Sequence, residues 1–329
     1  MSILICGGAG YIGSHAVRYF IEQGEKVIVA DNLSTGHRAA VPAGVPFYEG
    51  DIREAAFLDK IFTENEIEAV IHFAAYSLVG ESMTKPLQYF NNNVYGMQVL
   101  LEAMERHQVK KIVFSSTAAV YGEPEQLPIK ETDRTLPTNT YGETKLTMEK
   151  MMKWVSQASD IRYVSLRYFN AAGAADDGTI GEDHKTETHL IPLILQVPLG
   201  KRKAITVFGN DYPTPDGTCL RDYIHVNDLA SAHLLALEHL RRGGASDIFN
   251  LGNGTGFSVQ EMIIEAAFAT GKDIAVEHGA RRAGDPAQLI ASSEKARKIL
   301  GWQPQYTDVG RIIKTAWTWH KSHPNGYED

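Results

Sequence analysis

Apolar residues in the first half of this chain fall into short unbroken runs separated by stretches with helical spacing. Positions 3–6 form one such run and end on Gly7-Gly8. Beyond it, Ile12, Ala16, Tyr19 and Phe20 share one face of a helix, with Gly24 near its end. Positions 27–30 are a second apolar run, and 47–48, 69–73 and 111–114 read as further buried strands. Between the last two, Val94, Met97, Leu101 and Met104 recur at helical intervals. Uniformly apolar strands alternating with helices predict an α/β fold, a parallel sheet covered on both faces.

The second half is less regular. Positions 164–168 read as a strand, 171–188 as a long loop rich in glycine, alanine and charge, and 248–251 as a strand returning to the sheet. Positions 210–217 hold two prolines and a glycine. The expected organisation is a nucleotide-binding domain over 1–170, whose sheet also receives the segment near 248–251. A smaller, discontinuous substrate-binding lobe is drawn mainly from 171–329. The 329 residues fit about two such units.

Composition narrows the field. With 43% hydrophobic and 22% charged residues, wholesale disorder is excluded. The 32 Lys and Arg against 40 Asp and Glu give a net charge of −8, so no nucleic-acid partner is expected. No apolar run nears the roughly 18 residues of a membrane span, and the N-terminus lacks the pattern of a signal peptide. The expectation is a cytoplasmic protein with no membrane partner. Cys6 and Cys219 are far apart, so neither a disulfide framework nor a zinc knuckle is indicated.

Candidate chemistry starts at Gly7-Gly8-Ala9-Gly10-Tyr11-Ile12-Gly13, between the first strand and the first helix. Glycine lets the backbone turn tightly and approach a pyrophosphate, and a helix N-terminus offers free N–H groups to it. Asp31, 18 residues after Gly13 at the end of the second strand, is placed to bind the ribose hydroxyls of NAD. A Rossmann-type doubly wound sheet and NAD follow; Arg38, close by, keeps NADP open.

Tyr141 and Lys145 stand four apart after Pro137, where Thr140 and Glu143 have capping-box spacing and a helix begins. To act as a base near neutral pH, a tyrosine must drop about three units from ~10, roughly 4 kcal/mol. One cation at about 4 Å in a medium of dielectric ~20 contributes about that much before screening. A positively charged nicotinamide would add to it. Ser115-Ser116-Thr117 follow the strand 111–114, where ligands of open α/β sheets bind. Spacing does not choose among the three hydroxyls. Glu182, Asp183, His184 and His189 are metal-ligand types without a tight geometry or a second motif in sequence, so no metal is expected. His72 and His225, beside apolar strand residues, read as structural or as supports behind the site.

These features together resemble the extended short-chain dehydrogenase/reductase family, and within it the branch that epimerises UDP-hexoses at C4. The similarity runs end to end through Asp31-Asn32-Leu33, Glu49-Gly50-Asp51, His72-Phe73-Ala74-Ala75, Asn91-Asn92-Asn93-Val94 and Arg167-Tyr168-Phe169-Asn170. It continues through Phe208-Gly209-Asn210-Asp211-Tyr212, Arg221-Asp222-Tyr223-Ile224-His225-Val226, Arg281-Arg282-Ala283-Gly284-Asp285 and His323-Pro324-Asn325-Gly326-Tyr327. The resemblance implies Tyr141 as catalytic base, Lys145 as its support and ribose ligand, and Thr117 as a sugar contact near O4. It implies cofactor contacts at Gly7, Gly10, Tyr11, Ile12, Gly13, Asp31, Asn32, Asp51, Ile52, Phe73, Ala74, Ala75, Asn92, Lys145 and Phe169. Substrate contacts are implied at Asn170, His189, Leu190, Thr206, Val207, Phe208, Arg221, Arg282, Asp285 and Leu289, besides Thr117 and Tyr141. Arg221 and Arg282 would neutralise a diphosphate.

The implied activity interconverts UDP-glucose and UDP-galactose, with a UDP-hexose as ligand and a homodimer formed through helices near 94–107 and 141–154. Three positions depart from the family pattern: Ser77 replaces a common lysine, His189 an asparagine, and Leu289 a bulky tyrosine. The smaller Leu289 implies room for the N-acetylated pair UDP-GlcNAc and UDP-GalNAc. A 4,6-dehydratase would carry Asp-Glu where Ala118-Ala119 stand; a uronic-acid sugar decarboxylase and a non-catalytic NAD-binding protein are the remaining alternatives.

Overall fold

The computed structural model describes residues 1–282 and 286–328. Seven strands form the main sheet: β1 (Ser2–Cys6), β2 (Val27–Asp31), β3 (Phe47–Glu49), β4 (Ile67–His72), β5 (Lys111–Ser115), β6 (Arg162–Arg167) and β7 (Asp247–Asn250). Their order across the sheet is β7-β6-β5-β4-β1-β2-β3, and every pairing is parallel. The register sets Ile5 beside Val29 on one side and Ile71 on the other, and Val113 beside Val164. Val27–Asp31 is buried at all five positions, which is why its first four residues read as an unbroken apolar run.

Helices cover both faces. On one lie α1 (Tyr11–Glu22) and, later in the chain, the helix Val226–Arg241; Val17, Phe20, Leu229 and Ala236 pack there with Ile5, Val29 and Ile71. On the other face, helices Ala55–Glu64, Gly96–Arg106 and Thr140–Ala158 bring Leu58, Leu100, Met104 and Met148 against Leu4, Val70 and Phe114. Full burial of one such side chain stabilises by roughly 1.5–3 kcal/mol. A separate core of Ile191, Ile205, Met262, Ile312 and Ala316 builds the C-terminal part of the molecule. The doubly wound order reverses between β1 and β4, so the loops after these strands diverge and open a crevice at their carboxyl ends. No helix of the described residues is long and apolar enough to cross a membrane.

Candidate active site

A cleft of about 1110 Å³ opens over the carboxyl ends of β1, β2, β4 and β5. Its floor is the glycine loop. Gly7 sits at φ 81°, where a side chain is strained, and a Cβ there would meet the backbone of Ala74. A Cβ on Gly13 would stand 2.0 Å from the Gly7 carbonyl oxygen. The two glycines fold the loop flat under the first turn of α1, whose N-cap Gly10 supplies no side-chain cap. The helix therefore points uncapped backbone N–H groups at whatever lies in the cleft. Tyr11 ties this helix to the irregular stretch after β6 by donating to the Gly173 carbonyl at 2.6 Å.

Asp31 closes the floor at the end of β2. Its carboxylate accepts the N–H of Ala9 and of Leu33, each at 2.9 Å. Burial raises its pKa, and those N–H groups oppose the rise. Arg38 is turned away: its guanidinium lies 4.6 Å over the Phe47 ring, donates to the Val41 carbonyl and does not line the cleft. The glycine cradle, the uncapped helix and Asp31 without a cleft-facing Arg38 fit a dinucleotide lacking a 2′-phosphate.

Thr117, Tyr141 and Lys145 line the same cleft. Thr117 follows β5 and caps the short turn Ala118–Tyr121 by accepting the Ala119 N–H at 3.1 Å. The helix carrying the other two starts at Thr140, and its N-cap is Asn139 rather than Thr140: Asn139 Oδ1 accepts the Gly142 N–H at 2.8 Å. The Tyr141 N–H donates to Ser82 Oγ at 3.1 Å, which pins the first turn. Lys145 Nζ donates to the Ser115 carbonyl at 2.8 Å and sits 4.8 Å over the Phe114 ring.

Geometry also separates the three hydroxyls after β5. Ser115 is engaged by the Tyr168 hydroxyl and Ser116 donates to Glu149 at 2.5 Å, whereas Thr117 lines the cleft with Tyr141 and its hydroxyl lowers the pKa of that phenol. The electrostatics favour the neutral phenol more than the four-residue spacing of Tyr141 and Lys145 predicts. Lys145 Nζ is 5.9 Å from the Tyr141 ring centre. Burial pushes the Tyr141 phenol up to about 12, although its bond to Thr117 pulls it down. Burial brings the Lys145 ammonium down to about 7, against the attraction of Glu149. Lys145 thus leaves the phenol protonated near neutral pH, and a further positive charge beside the phenol would lower its pKa.

All fifteen sequence-proposed cofactor positions line this cleft. Of the substrate set, Asn170, His189, Arg282 and Leu289 do too, beside Thr117 and Tyr141, and Ser77 lies on the wall. Leu190, Thr206, Val207, Phe208 and Arg221 do not line it. Thr206, Val207 and Phe208 belong to the strand Ile205–Phe208, which pairs with Val276–Gly279, and Val207 is buried in the C-terminal core. Leu190 packs against the same core, and Arg221 donates to the Leu220 carbonyl at 2.8 Å. Phe208 reaches the site indirectly, since the Arg282 guanidinium stacks on its ring at 4.0 Å. Asp285 lies outside the described residues.

Sequence reading passed over the buried group behind the cleft. Glu149 accepts Arg167 Nε at 2.9 Å and Nη2 at 2.5 Å, and Arg167 Nη1 donates to the Tyr121 hydroxyl at 2.8 Å. A signal was present: Glu149 is four residues after Lys145, on the same helix face.

The family model described as "NAD dependent epimerase/dehydratase family" matches residues 3–252. The chain belongs to this epimerase/dehydratase family. A UDP-glucose 4-epimerase of Halalkalibacterium halodurans is 60% identical over 327 residues, 99% of this chain and 98% of that one. A crystal structure of UDP-glucose 4-epimerase from Brucella ovis in complex with NAD superposes with a TM-score of 0.94 at 47% identity, covering 96% of this chain and 97% of that one. One from Bifidobacterium longum in complex with NAD+ and UDP gives 0.93 at 40% identity, covering 99% and 100%. NAD is the cofactor of this epimerase/dehydratase member, in keeping with the floor that Gly7, Gly13 and Asp31 build.

Proposed function

We infer that this chain interconverts UDP-glucose and UDP-galactose by inverting the sugar at C4. The observation that carries the reading is convergence: Thr117, Tyr141 and Lys145 meet in the cleft that also holds the glycine loop and Asp31. When bound, NAD supplies a two-electron acceptor that takes hydride from C4 and returns it, so the reaction is redox-neutral overall.

The side chains handle binding and protons. Tyr141 accepts the proton of the C4 hydroxyl and later gives it back, and Thr117 bonds the phenol and the sugar O4 together. Lys145, held by the Ser115 carbonyl, supports the phenolate and binds the nicotinamide ribose. Asp31 holds the adenosine ribose. Asn170, His189 and Arg282, which also line the cleft, hold the uridine diphosphate, which stays anchored while the 4-keto sugar turns over its other face. Leu190, Thr206, Val207, Phe208, Arg221 and Asp285 belong to this half of the reading as the resemblance gives them, with Phe208 acting by shelving Arg282.

The test is to incubate purified protein with UDP-galactose and separate the products. UDP-glucose from wild type, with the rate of Tyr141→Phe lowered about 10²–10⁴-fold while NAD stays bound, supports the reading. A 4-keto-6-deoxy product would mean dehydration, which Ala118 and Ala119 disfavour because they offer no acid or base. No turnover would leave a binding protein.

Leu289, on the cleft wall, extends the reading to the N-acetylated pair. Parallel kinetics on UDP-galactose and UDP-GalNAc decide this; negligible turnover of the second removes it. The chain divides in this reading into the NAD domain 1–170, completed by the segment near 248–251, and the lobe 171–329. It works in the cytoplasm as a homodimer. Exposed Phe90, Tyr95 and Trp154 support the pairing of the helices near 94–107 and 141–154. A monomer in sedimentation equilibrium would rule the dimer out.

A further inference from the structure

The stretch that leads into the helix Leu190–Leu195 carries four metal-ligand side chains within eight residues: Glu182, His184, Glu187 and His189. One donor atom from each lies within 4.8 Å of all the others. His189 Nδ1 is 2.9 Å from Glu182 Oε1 and 3.0 Å from Glu187 Oε1. His184 Nδ1 is 3.4 Å from Glu182 Oε1 and 3.3 Å from Glu187 Oε2. A four-coordinate zinc-type ion with bonds of about 2.0–2.2 Å holds its ligands about 3.3–3.6 Å apart. These four spacings lie within a few tenths of an ångström of that edge but engage both oxygens of Glu187; with one donor atom per residue the set spreads to at most 4.8 Å, and an ion would draw it together.

We propose that Glu182, His184, Glu187 and His189 form a binding site for one divalent transition-metal ion of the zinc class. Two imidazole nitrogens with two carboxylates suit zinc and its neighbours better than magnesium or calcium, which favour all-oxygen shells. Charge is matched, since a dication balances the two carboxylates, whose side chains are 6% and 10% exposed. The ligands are held in place by their surroundings. Glu187 Oε1 accepts the N–H of Thr188 and of His189 at 2.7 Å each, and the Glu182 carbonyl accepts from Trp319 Nε1 at 3.2 Å. Asp183 is kept out, its carboxylate taking the Tyr327 N–H at 2.9 Å.

The site lies on the cleft wall, through Glu182, His184 and His189, and the His184 ring is 6.5 Å from that of Tyr11. The ion would staple the irregular stretch that closes this side of the cleft. It goes beyond the proposed reaction, with which it shares His189, whose Nδ1 would meet the ion; its readout, metal binding, does not depend on that reaction. The sequence expectation of no metal rested on the absence of a tight geometry. The structure supplies that geometry, with Glu187 as the donor that sequence reading did not include.

The experiment uses the full, tag-free chain with NAD retained. It is stripped with chelator, then titrated with Zn²⁺ by calorimetry and with Co²⁺ by visible absorption at about pH 8, because protons compete for the same nitrogens. Wild type should take up one equivalent per chain, develop the intense visible bands of low-coordinate Co²⁺ and melt at a higher temperature with metal. Glu187→Gln, which keeps the side-chain shape, and His184→Ala should each weaken binding at least tenfold and lose the bands, with far-ultraviolet circular dichroism checking that both fold. Less than a tenth of an equivalent bound by wild type, or unchanged binding in both variants, would overturn the proposal and leave the four groups as a self-sufficient ion-pair cluster.

Discussion

Tyr141 and Lys145 are each shifted away from the charge state that proton abstraction needs. Burial holds the phenol neutral to about 12 and lowers the ammonium to about 7. A cation placed in the cleft beside the phenol lowers its pKa. Tyrosinate absorbance, taken as wild type minus Tyr141→Phe, should thus titrate several units lower with NAD bound than after its removal. Identical titrations in the two states would refute this account of the base. Gly13 sets a second constraint at the same scale. With a Cβ 2.0 Å from the Gly7 oxygen, Gly13→Ala must open the loop. NAD affinity should fall at least tenfold, measured by fluorescence titration, whereas Gly24→Ala, with nothing within 4 Å but a φ of 84°, should alter stability alone.

At the scale of elements, the helix Thr140–Ala158 and strand β6 are joined by the buried pair of Glu149 and Arg167, whose side chains are 3% and 4% exposed. Glu149→Ala strands a buried guanidinium and should cost about 3–5 kcal/mol in denaturant unfolding. Replacing both partners by methionine should recover most of that loss; a double variant as unstable as the single would show that the pair's charges are not the source. The seven strands of the main sheet were readable from their apolar runs, and their observed ends moved by only a residue or two; the short strands outside it, such as Ile205–Phe208 and Val276–Gly279, went unread.

What escaped reading was polar and inside. Asn93, 1% exposed in the π-helical turn Phe90–Tyr95, accepts the Tyr76 N–H at 2.9 Å and donates to Thr144 Oγ1 at 3.0 Å. Hydropathy has no signal for a buried amide satisfied by partners 17 and 51 residues away. In the same way, the positions Thr206, Val207 and Phe208 were legible as a motif, but their distance from the cleft wall depends on a strand pairing with Val276–Gly279 that no local pattern states.

For the molecule as a whole, four histidines are locked inside. Burial lowers His15 and His233 to about 4 and His72 and His225 to about 3. The unfolded chain takes up these protons near pH 6.5 while the folded chain does not, so stability is full above that value and falls as the pH drops toward 4. At pH 5.5 each histidine costs about 1.4 kcal/mol. His72, whose two ring nitrogens have no hydrogen-bond partner among the described residues, offers the cleanest test. Between pH 7.5 and 5.5, the melting temperature of His72→Phe should fall less than that of wild type; an equal fall would assign the acid sensitivity elsewhere.

One of the two edge strands of the sheet, β7, arrives after the chain has already left for the C-terminal core, and it lies alongside β6 from Asp247 to Asn250. A gene cut after codon 170 would therefore encode a protein with a raw flank, β6 offering its unpaired amides and carbonyls to any passing strand. Such a fragment would be prone to clump rather than to bind nucleotide, and shuffling the front half onto a foreign partner would succeed only if the graft brought its own edging.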